Sequence, residues 1–264
     1  MKSISLIVLT RGDADIVERC LKSVKGVVSQ IIVVIDSRGT DGTPEVAKEF
    51  GAEVFIRPFK NQADQFNWAL DNLEIKGDWI LKLDDDEYLT PELKDEISKI
   101  PPEIPLDING FYVKRRVYFM GRWIKHGGYY PMWFLRLWRK GKGRSEDKEM
   151  DEHIVLSEGK SARLRNDFVD DSRQDLSLWT RKHDEYSSNE ANEFLKGDVD
   201  FGGKRNFYYK LPPFFRVFVY FFYRYFLRLG FLDGKAGLTF HFLQGFWYRF
   251  LIDAKIYELN KKNR

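Results

Sequence analysis

Runs of β-branched apolar residues alternate with amphipathic stretches through the first hundred residues of the chain. The apolar runs predict four buried strands, at 4–9, 31–35, 53–56 and 79–83. Helices are predicted between and after them, at about 15–24, 44–50, 61–73 and 91–100. Asp13, Thr43 and Thr90 are predicted N-caps, and proline follows both threonines. Strands that alternate with helices in this way predict right-handed crossovers and a mainly parallel sheet.

Polar residues stand at the carboxyl ends of three predicted strands. These residues are Thr10, Asp36 and Asp84. Open parallel sheets bind their ligands beyond the carboxyl ends of the strands. Residues that are far apart in the sequence are therefore expected to converge on one edge of the sheet.

The pattern changes after residue 110. Residues 111–113 and 134–138 predict strands on either side of a Gly127-Gly128 turn, and residues 176–195 predict a helix. Between Phe111 and Ser145 there are ten Lys or Arg residues and no acid. This basic stretch is open to three interpretations, namely counter-charge for a diphosphate, a site for an anionic acceptor, or a solvated face.

The last sixty residues are unusually aromatic. The run 214–232 approaches the length of a membrane span, but Arg216, Arg224 and Arg228 interrupt it. Their spacing of eight and four places them on one helical face, opposite a broad aromatic face. We therefore expect a helix that lies in the headgroup region of an anionic membrane, with a second helix at about 235–260 packed on it as a hairpin. The alternatives are an ordinary helical cap and a dimer interface.

Composition and charge narrow the choice of function. The chain has 264 residues, 43 Lys+Arg against 40 Asp+Glu, and a net charge of +3, which is too balanced to indicate a nucleic-acid partner. The one cysteine, Cys20, excludes an internal disulfide and fits the cytoplasm, and its helical spacing predicts a core position. The apolar start is interrupted by Arg11 and Asp13, so we expect no signal peptide.

Four consecutive acids, Asp84 to Glu87, follow the fourth predicted strand. Carboxylates packed this closely repel one another and are best stabilised by a cation. Their hard oxygen atoms suit Mg²⁺ or Mn²⁺, often shared with a substrate phosphate. The alternative is a solvated acidic turn that caps the next helix.

Several segments resemble a known enzyme family. Residues 81–87 resemble the D-x-D segment of the family 2 glycosyltransferases, and residues 32–43 resemble their second-strand motif. Residues 57–59 and 65–70 are similar to the segment that follows it. Similarity to the subgroup that glucosylates the inner core of bacterial lipopolysaccharide lies at 121–128, 135–139, 152–153 and 225–234. The resemblance covers nearly the whole chain and is specific for the superfamily.

The resemblance implies an α/β GT-A fold with a mainly parallel sheet. Together with the aromatic tail, this predicts a GT-A domain at 1–200 and a C-terminal helical, membrane-associating extension at 201–264. It also implies a nucleotide-sugar donor, a Mn²⁺ or Mg²⁺ cofactor and inversion at the anomeric carbon. The implied donor-binding residues are Thr10, Arg11, Asp36, Arg57, Gln65, Asp84 and Asp85. The implied metal ligands are Asp86, bound directly, and Asp84.

Two local departures from the family pattern bear on the nucleotide. The residues after the first strand are Thr10-Arg11-Gly12-Asp13, where the family has Thr-x-Asn-Glu, and Arg38-Gly39 stands where Gly-Ser is usual. Both departures leave the nucleotide preference open, and neither touches the implied metal ligands.

Inverting transfer needs a base that removes a proton from the acceptor hydroxyl. Glu152 matches the family's glutamate and is the preferred base, with Asp151 as the second choice. The alternative is that both acids only balance the basic stretch before them. His126 and Arg136 are candidate contacts for the acceptor or the diphosphate, although a lone histidine is more often structural.

These expectations combine into one function. The chain is predicted to move a hexose, with glucose from UDP-glucose preferred, to a lipopolysaccharide-core-like or other membrane-bound glycolipid acceptor. It would lie on the cytoplasmic, inner face of the membrane and contact the anionic surface through 207–260. Alternatives are a polyprenyl phosphate, capsule-precursor or protein acceptor, or a catalytically silent membrane-bound scaffold. The sequence carries no indication of an oligomeric state.

Overall fold

A computed structural model gives the fold for residues 3–39, 41–100, 104–146, 153–196 and 203–262. The chain forms two compact units. The first comprises Met1–Arg116 and Pro131–Ser172, and the second comprises Val117–Tyr130 and Arg173–Arg264. The expected domain boundary at 200/201 lies outside the described residues and stays a prediction.

A parallel half-sheet begins the first unit. Its strands are β1 (Ile4–Thr10), β2 (Gln30–Asp36), β3 (Glu53–Arg57) and β4 (Trp79–Asp84), in the order β3-β2-β1-β4. The connecting helices are α1 (Ala14–Val24), α2 (Thr43–Glu49) and α3 (Gln62–Asn72). All three strand pairings are parallel, which confirms the predicted α/β class.

The sheet continues with antiparallel pairings. The further strands are β5 (Glu87–Leu89), β6 (Ile108–Phe119), β7 (Arg122–Ile124), β8 (Met132–Arg139), β9 (Gly143–Ser145), β10 (Ile154–Leu156) and β11 (Lys160–Asp170). From β4 the order is β8-β6-β11-β5, while β9 and β10 form a separate hairpin. Helix α4 (Pro91–Ser98) follows β5. The predicted strands around Gly127-Gly128 are therefore present as β6 and β8.

The buried strands explain the continuous apolar runs. Along β1, Leu6 and Val8 pack in one hydrophobic cluster, together with α1 and α4. The alternate residues Ile7 and Leu9 pack in the other cluster, together with α3. Successive side chains of a strand point to opposite faces, so β1 is apolar throughout because both faces are covered. Cys20 is fully buried in the first cluster, as predicted.

Two of the three predicted helix caps are confirmed. The Asp13 side chain accepts from the Ile16 N–H, and the Thr90 hydroxyl accepts from the Leu93 N–H. The Thr43 prediction is wrong, because α2 begins at Thr43 and its N-cap is Gly42. The Thr43 hydroxyl instead accepts a hydrogen bond from the Asp13 N–H at 3.2 Å.

The second unit is mainly helical. It contains β7, which pairs with the last residues of β6, and the helices α5 (Leu176–Lys196), α6 (Gly203–Lys210), α7 (Phe215–Phe222), α8 (Gly234–Phe242) and α9 (Tyr248–Lys262). A π-helical turn at Tyr223–Leu227 extends α7, and another at Leu243–Trp247 joins α8 to α9. A short 3₁₀ helix at Gly230–Asp233 makes the predicted turn of the hairpin.

The arginines of the tail differ in their exposure, whereas the sequence predicts that all three belong to a polar face in the headgroup region. Arg216 is 2% exposed and forms a buried ion pair with Asp253, whereas Arg228 is exposed. A charge buried away from water needs such a partner, and Asp253 draws Arg216 inward. Across the described residues, no helix combines the length and the apolarity that crossing a bilayer requires.

Candidate active site

The carboxyl ends of β1, β2 and β4 meet at one edge of the sheet. In the register of the sheet, Leu9 pairs with Asp84 and Thr10 pairs with Ile35, the residue before Asp36. The Thr10 hydroxyl donates to the Asp85 Oδ2 at 2.6 Å. The predicted convergence of these strand ends is confirmed.

Hydrogen bonds and close backbone contact join the loops that follow β1 and β2. The Asp41 carboxylate accepts from the backbone N–H groups of Ala14 and Thr43, both at 3.1 Å. At Gly39, a Cβ atom would lie 2.0 Å from the Arg11 carbonyl oxygen, so only glycine fits there. The backbone of Arg11 is thereby fixed at the edge, while its side chain is exposed.

Asp36, the implied contact for the nucleotide base, already forms an ion pair with the guanidinium of Arg38. The Arg38 Nε lies 3.1 and 2.9 Å from the two carboxylate oxygens, and the Arg38 Nη2 lies 2.6 Å from Oδ2. Burial alone would raise the pKa of Asp36. The hydrogen bonds and the charge of Arg38 have the larger combined effect, so the pKa lies below its ordinary value. A base that binds Asp36 would therefore share the carboxylate with Arg38 or displace it.

Asp84 is held by two basic side chains. Its Oδ1 lies 3.0 Å from the Lys82 Nζ, and its Oδ2 lies 3.4 Å from the Arg136 Nη2. Burial raises the pKa of Asp84, yet the charges of Lys82 and Arg136 outweigh burial and lower it. Asp84 is consequently ionised at neutral pH. Arg136 also pairs with Glu87, so its guanidinium is bound within the acidic cluster.

Asp86 has the opposite environment. Burial, followed by the charges of Asp170 and Asp85, raises its pKa well above the ordinary value. Among the described residues, no hydrogen bond or ion pair reaches the Asp86 side chain. Burial likewise raises the pKa of Glu87 to about 7, against the opposing charge of Arg136. Ionised Asp86 therefore lacks a counter-charge within the described part of the chain.

Two acids at the end of β11 are not among the predicted site residues. Antiparallel pairing places Asp170 opposite Glu87. Asp170 lies 3.3 Å from Arg115, and Asp171 lies 2.7 Å from Arg19. The sequence does show two adjacent acids, Asp170 and Asp171, after the apolar residues of β11. Their position beside the acidic loop depends on the pairing of β11 with β5, which the local sequence pattern does not predict.

Arg57 and Gln65, the implied lining of the donor pocket, differ in their surroundings. Arg57 pairs with Asp64 at 2.8 Å and lies over the Trp68 ring at 5.0 Å. Gln65 is 1% exposed, and neither polar atom of its amide has a hydrogen-bond partner among the described residues. Because buried amides are nearly always paired, Gln65 retains hydrogen-bonding capacity that a ligand could use.

Acids neutralise much of the basic stretch between Phe111 and Ser145. Lys114 and Arg116 both pair with Asp167, at 3.1 and 2.6 Å, and Arg144 pairs with Asp71 at 2.6 Å. Together with the pairs of Arg115 and Arg136, these contacts show that much of the stretch pairs with acids from other strands and from helix α3.

The structure does not bring the remaining three predicted residues into this group. Asp151 and Glu152 are outside the described residues. His126 belongs to the second unit, where its Nδ1 lies 2.7 Å from the Asp233 Oδ1 and its backbone N–H donates to the Oδ2 at 2.9 Å. Asp233 therefore fixes the orientation of His126, and the proposed ligand contact of His126 stays a prediction.

The donor chemistry of the edge fits a hard divalent cation. No three acidic, histidine or cysteine side chains of the described residues form a complete metal cage. Mg²⁺, however, is commonly held by one or two carboxylates together with substrate phosphates. Asp84 and Asp86 would supply that smaller set, and the feature that fits a cation is the Asp86 carboxylate, which has no ion-pair partner among the described residues.

Comparison with known proteins decides the family. Residues 5–168 match the sequence profile described as glycosyl transferase family 2. The chain belongs to glycosyltransferase family 2. This membership confirms the predicted family and enzyme class, and with the mixed, partly parallel sheet it confirms the GT-A fold class.

Curated relatives fall into two groups. An uncharacterized glycosyltransferase of Rickettsia bellii is 40% identical over 99 residues, which is 38% of this chain and 33% of that protein. The chain thus matches about a third of the length of this relative and of two similar Rickettsia proteins. The lipopolysaccharide core biosynthesis glycosyltransferase LpsC of Rhizobium meliloti is 26% identical over 268 residues, 97% of this chain and 92% of that protein.

Solved structures resemble parts of the chain. Mannosyl-3-phosphoglycerate synthase from Rubrobacter xylanophilus is 24% identical over 44% of this chain and 41% of that chain, with a TM-score of 0.36. Glucosyl-3-phosphoglycerate synthase from Mycobacterium tuberculosis, solved with Mn²⁺, UDP-glucose and phosphoglyceric acid, is 19% identical over 44% of each chain, with a TM-score of 0.35. These likenesses cover less than half of this chain.

Proposed function

We propose that this family 2 glycosyltransferase is an inverting, metal-dependent hexosyltransferase that acts on a membrane-bound acceptor. UDP-glucose is the proposed donor, and a lipopolysaccharide-core oligosaccharide is the proposed acceptor. The observation that carries the proposal is the position of Asp84 and Asp86 at the shared edge of β1, β2 and β4, where Asp86 lacks a counter-charge among the described residues. The full-length similarity to LpsC supports the choice of acceptor.

On the donor side, Asp86 and Asp84 would hold Mn²⁺ or Mg²⁺. When bound, such an ion would offset the negative charge that develops on the departing diphosphate. Lys82 and Arg136 keep Asp84 ionised, so it is ready to bind at neutral pH. Thr10, Arg11 and Asp36 would bind the nucleotide, together with Arg57, Gln65 and Asp85.

On the acceptor side, Glu152 is the proposed general base, with Asp151 as the alternative. The acceptor oxygen forms a bond to the anomeric carbon while the bond from that carbon to the diphosphate oxygen breaks. Glu152 takes the proton that the hydroxyl loses. Attack from the face opposite the leaving group inverts the configuration.

The proposed location is the inner face of the membrane. Large apolar side chains of the second unit are exposed, with exposed fractions of 58% for Phe215, 54% for Phe222 and 46% for Phe226. Exposed aromatic residues close to arginines are typical of surfaces that lie in the headgroup region. Residues 207–260 would supply this contact.

A donor screen with the full chain tests the proposal. Release of the nucleoside diphosphate would be measured, UDP from UDP-glucose and UDP-galactose and GDP from GDP-mannose, with a core oligosaccharide as acceptor and with Mn²⁺ or EDTA. We expect UDP-glucose turnover that EDTA abolishes. Turnover that is unaffected by EDTA would reject metal dependence, and no release from any donor would favour the scaffold alternative.

A further inference from the structure

The second unit contains a cavity of about 910 Å³ with predominantly apolar walls. The apolar lining includes Phe207, Leu211, Phe218, Val219, Phe222 and Leu227. Sites for small molecules commonly measure about 300–1,000 Å³ and have walls of this kind with a few polar groups. The cavity is therefore large enough for a ligand with a substantial hydrocarbon part.

Three arginines line the same cavity, and none of the described residues that line it is acidic. The Arg249 Nη1 lies 2.8 Å from Glu190 and is neutralised by it. Within the described ranges, Arg224 and Arg228 have no acidic partner. The Arg224 Nη1 donates to the Tyr220 hydroxyl at 2.7 Å, but its Nε is buried without a hydrogen-bond partner.

The backbone around these arginines is irregular. Tyr223, Arg224 and Leu227 all belong to the π-helical turn that extends α7, and all three line the cavity. Single π-helical turns occur frequently at functional sites. Gly128 has a φ of +79°, and a Cβ there would lie 3.6 Å from the Arg228 Nε, so glycine leaves this guanidinium uncovered.

We propose that this cavity binds one molecule of an anionic membrane phospholipid, with its phosphate between Arg224 and Arg228 and an acyl chain along the aromatic wall. The two uncompensated cations favour an anion, and the apolar wall favours hydrocarbon. An anionic amphiphile satisfies both requirements. The inference rests on the proposed membrane location and deepens it from contact with a surface to recognition of a single lipid.

Calorimetric titration of the full chain with dihexanoyl phosphatidylglycerol, below its critical micelle concentration, tests the proposal. We expect saturable binding of one lipid per chain. Each further methylene buried in the cavity should tighten binding about fourfold, so the diheptanoyl lipid should bind more tightly. Dihexanoyl phosphatidylcholine should bind about tenfold more weakly, because its ammonium group would face two arginines.

Matched variants distinguish the contribution of the arginine charge to lipid binding from that of the apolar cavity. Arg228→Gln should weaken phosphatidylglycerol binding about tenfold, whereas Arg181→Gln removes an exposed arginine of α5 outside the cavity and should not change it. Val219→Trp should fill the cavity and abolish binding. Leu238→Trp, on the exposed face of α8, is its control.

The proposal is overturned if wild type shows no saturable binding, or if Arg228→Gln and Val219→Trp both bind like wild type. A dimer in sedimentation that excludes the lipid would also overturn it and would assign the cavity to a self-interface. Vesicle flotation and UDP-glucose turnover are measured in parallel. Intact flotation and turnover without monomeric lipid binding refute only the cavity proposal, whereas loss of flotation in wild type refutes the membrane location.

Discussion

At the scale of single residues, Asp84 and Asp86 differ although they are two positions apart. Lys82 and Arg136 lower the pKa of Asp84, while burial and neighbouring acids raise that of Asp86. Asp84 is thus stabilised within the protein itself. At the proposed metal site, Asp86 would be stabilised by the bound cation, so it is the more sensitive position for a test.

Asp86→Asn is expected to lower metal-dependent turnover by roughly a hundredfold or more, because several kcal/mol of transition-state charge stabilisation is lost. In EDTA the same change should raise the free energy of unfolding, because it removes a buried charge that Asp170 also repels. Turnover and urea unfolding measure the two effects, and Asp95→Asn on the surface of α4 is the control. Undiminished turnover would contradict the assignment of Asp86.

Glu152→Gln is expected to leave UDP-glucose binding unchanged and to slow transfer by about 10²–10⁴-fold, because the acceptor hydroxyl loses its base. Donor affinity and transfer rate are measured separately on the same preparation. Asp151→Asn is the matched variant and should retain most activity. If Asp151→Asn alone stops transfer, the base is Asp151.

The sequence predicts the residues of the edge better than it predicts their partners. Thr10, Asp36 and Asp84 could be placed together because the carboxyl ends of parallel strands share an edge. The contacts of Asp170 with this group depend on an antiparallel pairing about eighty residues away in the sequence. A pairing between distant strands produces no periodic pattern in the local sequence. The position of Asp170 beside Glu87 and its ion pair with Arg115 could therefore not be predicted.

At the scale of elements, strong periodicity and cap residues predicted the helices of the first unit. The second unit was harder, because the π-helical turns at 223–227 and 243–247 shift the face that a regular helix would present. Helical spacing also does not show that Arg216 is buried, because its position depends on a buried acid on another helix.

The cap of α4 provides a test at this scale. The Thr90 hydroxyl accepts from the Leu93 N–H and donates to the Asp167 carbonyl at 2.8 Å. Thr90→Ala is expected to lower the free energy of unfolding by about 2 kcal/mol, since both hydrogen bonds are lost from a buried site. Urea unfolding measures the change. Thr90→Ser keeps the hydroxyl, so an equal loss in that variant would argue against the cap.

Packing of α8 makes the second unit sensitive to acid. The His241 ring fills the space beside Gly127 and Gly230, and burial, reinforced by the charge of Arg224, lowers its pKa to about 4. The folded chain therefore binds fewer protons than the unfolded chain between pH 4 and pH 6.5. The free energy of unfolding should fall by up to about 3 kcal/mol as the pH drops through that window.

Urea unfolding at pH 7 and at pH 4.5 measures this dependence. His241→Gln cannot take up the proton, so its loss of stability between the two pH values should be smaller than that of wild type. An identical loss in both proteins would show that other groups account for the acid sensitivity.

At the scale of the whole molecule, the net charge is only +3, so overall charge would not draw the chain strongly to an anionic surface. The exposed aromatic side chains of the second unit must then carry much of the proposed membrane affinity. Phe226 and Leu232 are 46% and 49% exposed and do not line the cavity. Substituting them therefore tests the contribution of exposed apolar side chains to membrane affinity without changing the cavity.

Phe226→Ser combined with Leu232→Ser is expected to lower partitioning onto phosphatidylglycerol vesicles by about tenfold or more, because each side chain contributes up to roughly 1.5–3 kcal/mol when buried. Flotation measures the bound fraction. Leu176→Ser, on the exposed start of α5, is the control. Equal flotation of the double variant and the control would place the membrane contact elsewhere.

The single cysteine of the chain lies beneath the acidic loop, with its sulfur 3.8 Å from the Asp84 carbonyl oxygen. Burial, with added repulsion from Asp85 and Glu87, raises the pKa of the Cys20 thiol well above its ordinary value. Since thiolates are the species that react with maleimides, Cys20 should resist labelling in the native protein. The wild-type protein is then an unlabelled control for spectroscopy. A single cysteine introduced at an exposed position would be the one site that takes up a fluorophore or spin label.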